Sequence, residues 1–215
     1  MKIFLDTGDV EAIKKANDTG LLDGITTNPT HIANTGRKFQ DVVEEICSIV
    51  SGPVSVEAVA DTAEGLVKEA QRIALIAPNI VIKIPMNVEG LKAVPILEKE
   101  KGVKTNVTMI FSSTQAYLAM KAGASYVSIV LNRLDAVANE SFILVEDAAA
   151  TKHAFGYESE IIAASIKTQN QMLSCIRASI DIATIAPAVL EQMYKHPLTD
   201  IGLAEFEKDW AKVLK

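Results

Sequence analysis

Aromatic residues are scarce in this 215-residue chain, at 5%, although hydrophobic residues of all kinds reach 49% and charged ones 22%. A core built from it is aliphatic, and the composition is globular, neither disordered nor fibrous. Only two cysteines occur, Cys47 and Cys175, each in a helix-like context (EEICSIV and MLSCIRA). They read as buried thiols in a reducing cytoplasm and not as a disulfide. His31, His153 and His196 have no metal-ligand spacing among themselves or with the cysteines, so neither a metal nor another cofactor is expected. An excess of basic residues is also lacking. The formal net charge of −6 argues against a broad basic surface for nucleic acid or acidic lipid, while leaving room for a local basic pocket. No uncharged apolar run approaches ~18 residues, so no membrane span is expected. The opening MKIFLDTGD meets an acid at Asp6 and shows no signal-type apolar stretch, which points to the cytoplasm. No linker or low-complexity segment interrupts the chain, and residues 1–215 read as one domain.

What is present is a recurring unit. Short apolar, β-branched runs appear at 2–6 (KIFLD), 23–27 (DGITT), 53–58 (PVSVEA), 79–84 (NIVIKI), 103–108 (VKTNVT), 125–130 (SYVSIV), 160–165 (EIIAAS) and 181–185 (DIATI). Each precedes a helical pattern. Continuous apolar strands alternating with helices predict a parallel sheet covered on both faces, and eight units favour closure into a (β/α)8 TIM barrel. One helix is expected over about 61–77, capped by Asp61 or Thr62. Another is expected over about 112–122, from Ser112-Ser113 to Gly123. An extra C-terminal helix is expected over roughly 200–214, with Leu203, Phe206, Trp210 and Val213 on one side. Lying beyond the eighth unit, it caps its own barrel or packs on a neighbouring subunit.

Seven of the eight strands end on polar groups: Asp6, Thr26 to Asn28, Glu57, Lys83, Asn106 with Thr108, Ser128, and Ser165. In a (β/α)8 barrel these ends converge on one mouth, where such barrels carry their active sites. The eighth strand, ending ATIAP, offers no obvious polar side chain. Lys83 lies between Ile82 and Ile84 in a strand expected to be buried on both faces. Burial disfavours the charged amine and lowers its pKa. A neutral amine attacks a carbonyl to form an imine, an electron sink for C–C cleavage. The competing reading is an ion pair with Glu57 that closes the core, which requires good geometry. Aldol cleavage also needs a proton acceptor and a proton relay, for which Asp6 and Glu57 are the carboxylates available. Thr26, Asn28, Asn106, Thr108 and Ser128 supply neutral hydrogen bonds to hydroxyls and to a catalytic water. Arg133, Ser165 and Lys167 follow the sixth and seventh strands and suit an anionic group on a substrate. For Arg133 a salt bridge to Asp135, or a plain surface charge, is the alternative.

At these residues the sequence resembles the small-subunit branch of the transaldolase family, which includes fructose-6-phosphate aldolases. The matching stretches are FLDT (4–7), GITTNPT (24–30), PVSVE (53–57), VIKIPM (81–86), EGLKA (89–93), KTNVT (104–108), KAGASYVS (121–128), RLD (133–135), AASIK (163–167), KHPLTD (195–200) and FEKDW (206–210). The resemblance implies a class I aldolase fold with Lys83 as Schiff-base nucleophile. It implies Asp6 as the acid–base group for C–C cleavage, and Glu57 with Thr108 as the holders of a catalytic water. Asn28, Asn106 and Ser128 then resemble the residues that hold the dihydroxyacetone hydroxyls. It further implies a homo-oligomer, commonly a decamer of two pentameric rings, with the C-terminal helix in subunit contacts. The expected partner is a small sugar phosphate or sugar sulfonate.

The chain departs from the family in three places. Ile129-Val130-Leu131-Asn132-Arg133 replaces the Pro-Phe-Val-Gly-Arg of transaldolases and the Pro-Tyr-Val-Asn-Arg of the aldolases. Lys167 stands where transaldolases generally have arginine, and His31 with Asn34-Thr35-Gly36 differs from the usual phosphate-sugar members. Glu57 and Asn106-Val107-Thr108 match the transaldolases, which makes transfer of a dihydroxyacetone unit the leading expectation. Three alternatives stay open: a transaldolase for sulfofructose, with sulfonate in place of phosphate; a fructose-6-phosphate-type aldolase; and a sugar-phosphate binding or isomerising barrel without imine chemistry.

Overall fold

Eight parallel strands close on one another in chain order in the computed structural model, which describes residues 1–213. The strands are β1 (Lys2–Asp6), β2 (Gly24–Thr26), β3 (Val54–Glu57), β4 (Ile80–Pro85), β5 (Thr105–Ile110), β6 (Tyr126–Val130), β7 (Glu160–Ile166) and β8 (Ile182–Ile185). The first half of the helical layer is α1 (Val10–Asn17), α2 (Pro29–Asn34), α3 (Phe39–Ile49), α4 (Ala63–Ala74) and α5 (Val88–Pro95), which runs on into a π turn. The second half is α6 (Ser113–Ala122), α7 (Leu131–Asp135), α8 (Ser141–Phe155), α9 (Gln169–Arg177), α10 (Pro187–Met193) and α11 (Pro197–Val213). This is the (β/α)8 barrel expected from the alternating pattern.

The predicted caps hold. Thr62 accepts a hydrogen bond from the Gly65 amide at the start of α4, and Ser112 accepts one from Gln115 at the start of α6, which stops at Gly123. Each satisfies an amide that the first helical turn leaves unpaired.

Side chains alternate along each strand, so the same residues divide between two cores. Leu5, Ile25, Val56, Ile82, Val107, Val127 and Ile185 face outward and pack with the helices. Phe4, Val81, Tyr126, Ile162 and Ile182 form a separate buried cluster inside the barrel. Gly24 is required there: a Cβ at that position would lie 2.7 Å from the Phe4 ring and from the Pro53 carbonyl oxygen. One pleat further along, the inward positions turn polar, and this change of layer creates the mouth.

Two strands carry bulges near that mouth. The register shifts between Val107 and Ile110 on β5, where Met109 has φ 64°, and between Ala163 and Ile166 on β7, where Ser165 has φ 59°. Left-handed backbone at a non-glycine residue is strained, and such bulges concentrate beside active sites, where they re-aim side chains. The bulge also explains why β5 extends to Ile110, two residues past its expected end.

Helix α11 stands apart. None of its described residues is buried, and Leu198, Phe206, Trp210 and Val213 are each more than 60% exposed. It does not cap its own barrel. Leu214, the last residue of the expected helix, lies outside the described residues. No helix among them is long and apolar enough to cross a membrane.

Candidate active site

Register sets the site. Glu57 on β3 lies beside Lys83 on β4, and Lys83 lies beside Asn106 on β5. On the other side, Asp6 on β1 pairs with Thr26 on β2, which pairs in turn with Ser55 on β3. Period-two alternation then directs Asp6, Thr26, Ser55, Glu57, Lys83, Asn106, Thr108 and Ser128 toward the barrel interior and its mouth.

Lys83 is 8% exposed, and its Nζ donates a 2.8 Å hydrogen bond to the Thr27 carbonyl oxygen. Burial holds its pKa below the ordinary lysine value, against the opposing pull of the Asp6 and Glu57 charges. Among the described residues no salt bridge joins Lys83 to Glu57. The core-closing ion pair is therefore absent, and the amine is held by a neutral acceptor.

Two hydrogen-bonded chains flank it. Thr26 donates from Oγ1 to Asp6 Oδ1 at 2.9 Å and shares a 2.7 Å contact with Thr184 Oγ1. Because Thr26 has one hydroxyl proton and gives it to Asp6, Thr184 donates to Thr26. The second chain runs from Ser128 Oγ, which donates to Asn106 Oδ1 at 2.7 Å, through Asn106 Nδ2, which donates to Ser55 Oγ at 3.1 Å. It fixes the amide orientation of Asn106. Glu57 and Thr108 have no side-chain hydrogen bond among the described residues, which leaves both able to bind a water or substrate.

Asn28 caps α2: its Oδ1 accepts from the His31 amide at 2.9 Å, and its Nδ2 lies 3.3 Å from His31 Nε2. His31 Nδ1 is 3.8 Å from Asp6 Oδ1 and is the one buried side-chain nitrogen or oxygen among the described residues without a hydrogen-bond partner. The proposed anion-binding residues sit further out. Arg133 lies exposed on α7 just after β6, while Ser165 lies near the end of the adjacent β7 and exposed Lys167 just beyond it. No hydrogen bond or ion pair joins these three among the described residues. Asp135, the partner weighed for Arg133, instead accepts from Gln171 Nε2 at 2.5 Å and from the Ser141 amide. The salt bridge to Asp135 is not formed, and the exposed guanidinium has no acidic partner among the described residues.

Three further polar residues join this constellation. Thr184 contradicts the expectation that β8 brings nothing polar to it. Its signal lay in the ATI run, where alternation places it on the same face as Ile182. Ser55 could be found the same way, two residues before Glu57. His31 stood out as a departure from the family pattern, without an assigned task.

The chain matches the family model described as Transaldolase/Fructose-6-phosphate aldolase over residues 3–215. It belongs to that family. Relatives named "Probable transaldolase" include a Hydrogenobaculum protein, 54% identical over 213 residues (99% of this chain, 98% of the relative). Others are an Aquifex aeolicus protein, 52% identical over 213 residues (99% and 98%), and a Geotalea uraniireducens protein, 50% identical over 215 residues (100% of both). Similarity at that level over whole chains covers every strand that ends at the barrel mouth. The family contains both transfer and cleavage enzymes, and this chain is an enzyme of it.

Proposed function

We propose that this enzyme is a transaldolase: it moves a dihydroxyacetone unit from a ketose with an anionic sixth position to an aldehyde acceptor, through a Schiff base on Lys83. The observation that carries the reading is the buried Lys83 amine, held by a backbone carbonyl with acidic side chains on two neighbouring faces. A neutral amine is the form that adds to a carbonyl. Lys83 Nζ bonds to the ketose C2, and water leaves to give the iminium. Asp6 takes the proton of the C4 hydroxyl as the C3–C4 bond breaks. The bond's electron pair moves into the iminium, and the first aldehyde departs. The enamine then attacks the acceptor aldehyde, whose new alkoxide takes the proton back from Asp6. Water, held by Glu57 and Thr108, opens the imine and frees Lys83.

Asn106, fixed by Ser128 and Ser55, suits the hydroxyls of the three-carbon unit, as does Asn28 at the start of α2. Arg133, Ser165 and Lys167 suit the anionic end. A phosphate is the leading choice and a sulfonate the alternative, since both present several acceptor oxygens to the same cations. The exposed apolar side of α11 supports a homo-oligomer, and a decamer is the expected size. The unpaired thiols of Cys47 and Cys175, both pushed up in pKa by burial, to about 11 and about 12, support a reducing cytoplasm. The decisive experiment is borohydride reduction in the presence of fructose 6-phosphate. A reduced three-carbon adduct on the tryptic peptide containing Lys83 is expected. An adduct on another lysine, or none with any ketose, would overturn the reading.

A further inference from the structure

His31 is the residue whose surroundings the mechanism does not yet use. Asn28 gives its Oδ1 to the His31 amide, so the group it presents to the imidazole is Nδ2, a donor only. Nε2 must therefore accept, and in the neutral ring the proton sits on Nδ1. A protonated ring would set two donors against each other at 3.3 Å. Burial lowers the His31 pKa, and the Lys83 and Lys167 charges act in the same direction, while the Asp6 charge opposes them. On its outer side the ring lines a depression that also holds Asp9, Glu11, Arg37 and Glu45. Gly8 lets the chain after β1 press against the His31 backbone, since a Cβ there would lie 2.8 Å from the His31 carbonyl oxygen.

The ring thus presents a buried N–H toward Asp6 with no partner yet in reach. Nδ1 stands 3.8 Å from Asp6 Oδ1, beyond hydrogen-bond distance. An unpartnered buried donor is unfavourable, so this one is poised to be satisfied by a small movement of the carboxylate. We propose that His31 is a positioning residue for Asp6: neutral and protonated on Nδ1, it supplies Asp6 Oδ1 with a second hydrogen bond, beside that of Thr26, when the carboxylate takes its working position. Two donors on Oδ1 direct the other oxygen, Oδ2, at the substrate hydroxyl. A neutral donor also adds no positive charge beside the Lys83 amine, which attacks as the neutral form.

This assignment rests on the transaldolase reading, and the test separates the two. kcat and KM for transfer are measured separately for the unmodified enzyme and for His31→Leu, His31→Gln and His31→Asn. Asparagine places an N–H near the Nδ1 position, whereas glutamine reaches the Nε2 position instead. Losing the donor leaves Oδ2 less firmly directed at the substrate hydroxyl, so proton transfer slows while substrate binding is kept. The leucine and glutamine variants should lower kcat by about tenfold with KM nearly unchanged. The asparagine variant should restore kcat. If leucine prevents folding, the contrast between glutamine and asparagine decides. A kcat that is unchanged in the glutamine variant, a loss that falls on KM instead, or a folded asparagine variant that restores nothing, overturns the role of His31. Failure of the unmodified enzyme to form a borohydride-trapped adduct at Lys83 overturns the Schiff-base reading instead.

Discussion

Lys83 donates its 2.8 Å hydrogen bond to the carbonyl oxygen of Thr27 and forms no ion pair with Glu57, its register partner on the adjacent strand. A lysine buried in this way trades stability for reactivity. Its folded-state pKa lies below that of an unfolded lysine, so the unfolded chain binds more protons between the two values. Stability therefore rises with pH through that window, and at neutral pH the amine works against the fold. Lys83→Met should abolish transfer yet raise stability at pH 7 by about 1–3 kcal/mol, the range for relieving a buried polar group. The gain should shrink as pH climbs toward about 10.4, the unfolded lysine value. Urea melts of both proteins across pH test this, and a variant less stable than its parent at pH 7 would contradict it.

The relay Thr184–Thr26–Asp6 makes a graded forecast. Thr184→Val removes the first donor but leaves Thr26 bonded to Asp6, so kcat should fall by only about two- to fivefold. Thr26→Val removes the bond to the carboxylate itself and should reduce kcat by about tenfold or more, in line with a hydrogen bond to a charged group. The ordering is the test. Equal losses in the two variants would mean that the hydroxyls matter only for packing.

Most of the barrel was visible because its strands are apolar on both faces, while Gly123 and the helix-capping residues punctuate the helices. Lys83 and the polar strand ends were visible for the converse reason, since a charged or amide side chain inside an apolar run has no packing explanation. Thr184 escaped because a threonine in a strand is unremarkable by propensity alone. Only closure of β8 against β1, which brings it round to Thr26, gives it a partner. His31 escaped because its relation to Asp6 depends on Asn28 beginning α2 beside the end of β1. The bulge at Ser165 depends on where β7 loses register with β8, a long-range fact that local pattern does not encode.

In the proposed reaction the choice of substrate falls to the outer cations. Arg133 and Lys167 are exposed and without an acidic partner among the described residues, so each is available for a substrate anion. Arg133→Ala or Lys167→Ala should lower kcat/KM for fructose 6-phosphate by about ten- to a hundredfold. The loss should be much smaller for a ketose without the anion. Equal losses on both substrates would assign these residues to folding. Far better turnover of sulfofructose than of fructose 6-phosphate by the unmodified enzyme would select the sulfonate.

An exposed apolar helix makes the assembly testable without disturbing the barrel. Phe206 and Trp210 lie on α11 at 72% and 62% exposure, so polar substitution leaves the interior core untouched. Burying a large apolar side chain at an interface contributes about 1.5–3 kcal/mol. Phe206→Ser combined with Trp210→Ser should therefore shift light-scattering mass toward smaller species while the circular dichroism stays unchanged. An unaltered mass would count against α11 as a subunit contact.

In the proposed reaction transfer and hydrolysis compete for the same enamine, and Val130 is the residue expected to tilt the balance. It ends β6 and is 8% exposed, with Ala164 as its register partner on β7. Releasing free dihydroxyacetone requires the enamine to be protonated and water to add to the imine. Glu57 and Thr108 suit that water, but Val130 offers no hydroxyl where the aldolase pattern has tyrosine. An acceptor aldehyde should therefore intercept the enamine faster than hydrolysis empties the site. Val130→Tyr adds a phenol beside a small neighbour, Ala164, which leaves more space than a branched residue would. The variant should release dihydroxyacetone from fructose 6-phosphate, without acceptor, at least several-fold faster than its parent, with transfer reduced or unchanged. The measurement is the ratio of release to transfer in both proteins, read beside their thermal melts to confirm that the ring is accommodated. Rapid release by the unmodified enzyme, indifferent to added acceptor, would defeat the transaldolase assignment and make this member of the family an aldolase.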